Sequence, residues 1–167
     1  MSEMSRMIDL RHLPDGLLDI TANAEECAAL AKRFDLVAVR QLTARIALKP
    51  DGQTVRASGV LDADVVQSCA VSAEDLEVGI HEPVELHFVP PAGDLPEELE
   101  LDAEMLDQIE MEGGRFDLGE ALAQTLGLAI DPYLEGPNAE EARREAGLLD
   151  PSDTSPFAAL KDMFKKD

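Results

Sequence analysis

Two long runs rich in β-branched residues, Leu36 to Leu48 and Thr54 to Val66, stand on either side of Pro50-Asp51-Gly52. Turn residues between two such runs mark a hairpin. A hairpin of this length commits the chain to a sheet. A simple register across the loop sets Ile46 against Val55, Ala44 against Ala57 and Leu42 against Gly59, which makes one apolar face. The other face then sets Gln41, Thr43 and Arg45 against Val60, Ser58 and Arg56. In that register Arg45 and Arg56 stand directly opposite each other. Like charges so placed cost a fraction of a kcal/mol. The chain's own acids, an external anion such as RNA phosphate, or a bulge that shifts the register would each relieve them.

The flanking sequence supplies helices and shorter strands. Met7 to Leu13 reads as a first strand or extended arm, closed by Pro14-Asp15-Gly16. Asn23, with Glu26 three residues on, forms a capping box that predicts a helix over 23–34. Cys27, Leu30, Ala31 and Phe34 share one face of it, which places Cys27 on the buried stripe. Leu76 to Ile80 and Val84 to Val89 read as two short strands interrupted by Pro83, with Pro90-Pro91 ending the second. Residues 93–114 are dense in Asp and Glu, with a short strand expected near Ile109 to Met111. Asp117 and Glu120 form a second capping box, opening a helix over 117–130 whose broad apolar face belongs to the core. A polar helix over 138–146 stops at Gly147. A Pro-containing linker, Asp150 to Pro156, then leads to an amphipathic tail in which Phe157, Leu160 and Phe164 share a face.

Charge narrows what such a chain can bind. Thirty-five acids against 14 bases leave it at −21 over 167 residues. Residues 1–56 are neutral overall, 57–120 carry −17 with the single base Arg115, and 121–167 carry −4. Gripping nucleic acid through its phosphates takes clustered Lys and Arg. The middle third would repel phosphate and attract a basic partner. Met1 to Leu10 has neither the basic start nor the apolar run of a secretory leader, and no stretch approaches the length needed to span a bilayer. Two cysteines far apart in sequence suit reduced thiols, so the expected compartment is the cytoplasm.

Signatures of catalysis are missing. Cys69 has no ligand partner at metal-site spacing, and His12, His81 and His87 form no ligand motif. With Val66, Ala70 and Val71 around it, Cys69 is expected to have a raised pKa and to stay inert. His81 and His87 read as solvated strand residues. Gly113-Gly114 and Gly119 match no phosphate-binding loop, and one Tyr with five Phe gives no platform for stacking bases. The expectation is a binder without enzymatic activity, cofactor or metal.

Three blocks carry a resemblance. The first is Gly59 to Pro90, where strands run up to Gln67-Ser68-Cys69-Ala70-Val71 and a later one ends in His87-Phe88-Val89-Pro90. The second is Arg115-Phe116-Asp117-Leu118-Gly119-Glu120 leading to the stop Asp131-Pro132-Tyr133. The third is Ser155-Pro156-Phe157-Ala158-Ala159-Leu160-Lys161. In their order and spacing these resemble the bacterial YceD family, the large ribosomal RNA subunit accumulation proteins, and its alphaproteobacterial members most closely. Many members of that family carry a second cysteine, or an arginine and a cysteine, just after the position of Cys69. Here Ala70, Val71 and Ser72 follow instead, so no thiol- or metal-based role carries over. The resemblance implies a part in accumulation or processing of large-subunit ribosomal RNA, and no catalytic residues.

The expected fold is α+β. An antiparallel sheet, open or curled into a partial barrel, packs against the two main helices. Residues 1–134 form the domain, including the acidic segment 93–114, and 135–167 form a polar linker and tail. The favoured reading is a ribosome-assembly factor that holds a basic ribosomal protein or RNA-processing factor. Its contact residues would be Glu97, Glu98, Glu100, Asp102 and Glu104, with Phe157, Leu160 and Phe164. The alternative is direct RNA binding through Arg40, Arg45, Arg56, Lys165 and Lys166.

Overall fold

A computed structural model of the chain describes residues 2–91 and 108–147. In order, these form β1 (Met7–Asp9), a 3-10 turn (Leu10–His12), β2 (Leu17–Thr21), α1 (Ala24–Arg33), β3 (Ala38–Asp51) and β4 (Thr54–Ser68). Then come β5 (Asp75–Val89), β6 (Gln108–Glu110), β7 (Arg115–Asp117), α2 (Leu118–Ala129) and α3 (Ala139–Glu145). Five strands make one sheet in the order β2-β3-β4-β5-β6, and β1 with β7 makes a second. The fold is α+β, and the larger sheet stays open instead of closing into a barrel. The pairs β1–β7, β2–β3 and β3–β4 are antiparallel, whereas β6 runs parallel to β5.

The chain divides into two compact units: Met1–Gln67 with Glu77–Asp131, and Ser68–Leu76 with Pro132–Asp167. The first unit holds the sheet and its core. Alternation along each strand sends Ile20 of β2, Leu42, Ala44 and Ile46 of β3, and Val55, Ala57, Leu61, Ala63 and Val65 of β4 inward. They meet Leu30 of α1 and Leu118, Leu122 and Leu126 of α2, all four fully buried. Phe88 of β5 is fully buried and stacks on Phe116 of β7, with ring centroids 4.0 Å apart. Aliphatic side chains do most of the packing, as the scarcity of aromatics requires.

Both main helices start where the capping residues placed them. The Asn23 side chain accepts from the Glu26 amide at 2.9 Å, and the Glu26 carboxylate accepts from the Asn23 amide at 2.8 Å. At α2 only half of the expected box forms. Asp117 accepts from the Glu120 amide at 3.2 Å, but the Glu120 carboxylate turns away to Arg33 at 2.8 Å and to Ser2 at 2.8 Å. The Asp117 carboxylate also takes the Arg6 amide and the Ser5 hydroxyl, both at 2.7 Å. One side chain thus caps a helix and ties the N-terminal arm beside it. Gly119 permits that approach, since a Cβ there would lie 2.5 Å from the Met4 carbonyl.

The hairpin register differs from the simple one. Pro50 and Asp51 belong to the strand, Asp51 pairs with Thr54, and the turn is only Gly52-Gln53, with Gly52 at φ +62°. Ile46 therefore faces Gly59, Arg45 faces Val60 and Arg56 faces Lys49. The opposed Arg45–Arg56 pair does not exist. Because the slip is even, the division into core and solvent faces survives; an odd slip would have inverted it. A bulge between Val39 and Gln41 adds a further irregularity.

Three other elements depart from the sequence reading. Leu17–Thr21 is a strand, with Leu18 and Ile20 turned inward and Leu17, Asp19 and Thr21 outward. Pro83 does not interrupt β5, which runs unbroken from Asp75 to Val89. Proline is tolerated where its missing N–H meets no partner, and β6 pairs with β5 only over His87–Val89. Arg115–Asp117, expected to run straight into the helix, first pairs with β1.

Candidate functional site

The outer face of the large sheet carries three ionic pairs that link its strands. Along β3, Arg40 pairs with Glu77 of β5 at 2.7 Å, and Arg45 pairs with Asp19 of β2 at 2.9 Å. On β4, Asp62 meets Nδ1 of His81 at 2.5 Å, and Asp64 stands beside Gly79. His81 is thus solvent-exposed, as expected, but carries a carboxylate partner that single-strand reasoning missed.

The arginines named as RNA-binding candidates are not assembled into a patch. Arg45 and Arg56 both lie on the outer face, but the residue opposite Arg56 is Lys49, four positions along β3 from Arg45. That offset is roughly 13 Å along the strand. Arg40 lies toward the other end of β3. Ion pairs within the described residues engage Arg6, Arg11, Arg33, Arg40, Arg45, Arg115 and Arg143. Lys49 and Arg56 form a small cross-strand basic pair near the hairpin turn instead. Glu97, Glu98, Glu100, Asp102 and Glu104, and Phe157, Leu160, Phe164, Lys165 and Lys166, lie outside the described residues.

Within the second unit, Cys69 is buried, as expected, but its thiol is held down instead of pushed up. Its Sγ accepts from the backbone amides of Gly136 at 3.2 Å, Ser72 at 3.3 Å and Val71 at 3.4 Å. The backbone amides, led by that of Gly136, outweigh burial and bring the thiol down to about 7. Cys27 behaves the other way, its thiol pushed up by burial and by nearby Glu26. Around the sulfur, the Ala70 amide donates to the Leu134 carbonyl at 2.9 Å and Asn138 holds Glu74 at 2.6 Å. Local sequence showed only apolar neighbours because the leading donor, Gly136, is far away along the chain.

This arrangement makes a measurable prediction. Alkylation of Cys69 in the native chain should rise through a midpoint near pH 7, although its 4% exposure will keep the absolute rate low. Cys27→Ser isolates the signal, and mass spectrometry of the labelled peptide reads it. A midpoint near pH 9 would mean that the amides do not stabilise the thiolate.

The open sheet with its charged outer face, the capped helix α2 and the Cys69 loop together define an α+β protein whose exposed chemistry is ionic. A family model described as large ribosomal RNA subunit accumulation protein YceD matches residues 57–164, from β4 onward. The chain belongs to the YceD family, whose description carries a role in accumulation of large-subunit ribosomal RNA. No curated protein and no solved structure matches it. No helix among the described residues is long and apolar enough to cross a membrane.

Proposed function

We propose that this chain supports large-subunit ribosomal RNA accumulation without catalysis, by holding a basic protein of that pathway on its anionic surface. One observation carries the reading. Two of the three arginines that RNA would need on the sheet are already neutralised, Arg40 by Glu77 and Arg45 by Asp19, while the carboxylates outnumber them. Exposed ion pairs of this kind are weak. Phosphate would still have to displace a carboxylate at each one and approach the remaining acids.

Two measurements test the reading. Basic large-subunit proteins or processing factors should co-purify with the intact chain after RNase treatment. Binding to a large-subunit RNA fragment should be weak. If RNA does bind through Lys49 and Arg56 alone, its salt slope should be only about −1.4, since each neutralised phosphate of a single strand contributes about −0.7. Capture abolished by RNase, together with a steep salt slope, would overturn the proposal in favour of direct RNA binding.

A further inference from the structure

Four lysines and arginines among the described residues enter no ion pair: Lys32 on α1, Arg144 on α3, and Lys49 and Arg56. The last two stand directly opposite each other on β3 and β4, and both are exposed. Cβ atoms so placed lie about 5 Å apart, where like charges destabilise a sheet. No described acid relieves this pair. Asp51, two residues along β3 from Lys49, is exposed and forms an ion pair with neither. β2 reaches along β3 only as far as Ala47, so Lys49 lies past its end.

We propose that Lys49 and Arg56 form a weak contact for the phosphate backbone of single-stranded RNA at the hairpin end of the sheet. The inference goes beyond the protein-binding reading above and does not depend on it. Charge selects the occupant here, because neither cation, unlike Arg40 and Arg45, has a carboxylate to give up. Arg56 offers a planar fork that fits two oxygens of one phosphate, and Lys49 a compact ammonium for the next. The family's role in accumulation of large-subunit ribosomal RNA supplies a polyanion of that kind. The net charge of −21 does not forbid the contact. At 0.1 M salt, charges more than about 10 Å away are largely screened, whereas the pair meets phosphate directly. Two cations keep the affinity low, and phosphate contacts orient RNA without reading its sequence.

The test is an NMR titration of the isotope-labelled full chain with single-stranded oligouridylate. Side-chain resonances of Lys49 and Arg56 should respond at the lowest RNA concentrations. Raising KCl from about 20 to about 200 mM should cost Lys49→Gln and Arg56→Gln each about fivefold less affinity than the unaltered chain. Each substitution removes one phosphate contact, and with it about 0.7 of the salt slope. Both positions are exposed, so the core is left intact. Lys32→Gln makes the same change in net charge on α1 and should match the unaltered chain within about twofold. Asp51→Asn should tighten binding, since it removes an acid beside the pair. Equal salt response in the unaltered chain and all three glutamine variants would overturn the proposal, the RNA then sensing net charge alone. Weaker binding by Asp51→Asn would overturn it too. So would a dependence on Lys49 and Arg56 that emerges only when the seven acids from Asp94 to Asp107 are changed to amides, because the chain's own carboxylates would then hold the pair.

Discussion

Gly59→Ala is expected to destabilise the chain by about 3 kcal/mol, at the upper end of the usual cost of overpacking. A Cβ on Gly59 would lie 1.9 Å from the Arg45 carbonyl oxygen and 3.0 Å from the Ile46 Cα. Both neighbours are backbone, so no side chain can swing aside to make room. Relief would require β3 and β4 to separate at the centre of the sheet, beneath fully buried Ile46 and Leu61. Gly79 on β5 is the matched control. Its nearest neighbour is the Asp64 carboxylate at 3.9 Å, so Gly79→Ala should be neutral or stabilise by about 0.5 kcal/mol through the unfolded chain. Urea titrations of the two variants decide the matter. Equal midpoints would show that the strands do not approach as closely as described.

Phe88→Ala should cost a comparable or larger amount, about 3–5 kcal/mol. Phe88 is fully buried and stacks on Phe116, joining the five-stranded sheet to the β1–β7 pair. Truncation removes a large apolar side chain and leaves a cavity against a strand only three residues long. Phe88→Leu, which keeps most of the volume, should lose about 1–1.5 kcal/mol. Thermal unfolding of the three proteins orders them, and a loss under about 1 kcal/mol for the alanine variant would show that the ring stack contributes little.

Much of this fold was legible because its strongest signals are local. A capping residue three positions before its partner, and an apolar stripe at helical spacing, found α1 and α2 from a few adjacent side chains. The β3–β4 hairpin was legible in the same way, down to which residues face the core. Its register was not. Proline and aspartate before a glycine read as loop, yet Pro50 lies in the strand opposite Val55. The error at Pro83 has the same origin: proline forbids a strand only where its nitrogen must donate, and that depends on a neighbour the sequence does not show. β2 was missed although Leu17–Thr21 alternates between solvent and core, because five residues after a turn are easily taken for a loop. The candidate site was less legible still. Asp19, Arg45, Asp62 and His81 come from four strands, and Cys69 owes its acidity to an amide 67 residues away.

The pairing of β1 with β7 also bears on how the chain is made. Most of the large sheet joins strands that follow one another closely, so β2, β3, β4 and β5 can pair soon after each emerges from the ribosome. Met7, by contrast, waits for Asp117. Until that residue is synthesised the N-terminal arm lacks both its strand partner and the carboxylate that fixes Ser5 and Arg6. Contacts between such distant segments are the slow ones to form. Closure of the arm should therefore be the last step in completing the first unit, and a chain interrupted anywhere before α2 would carry an unfinished core.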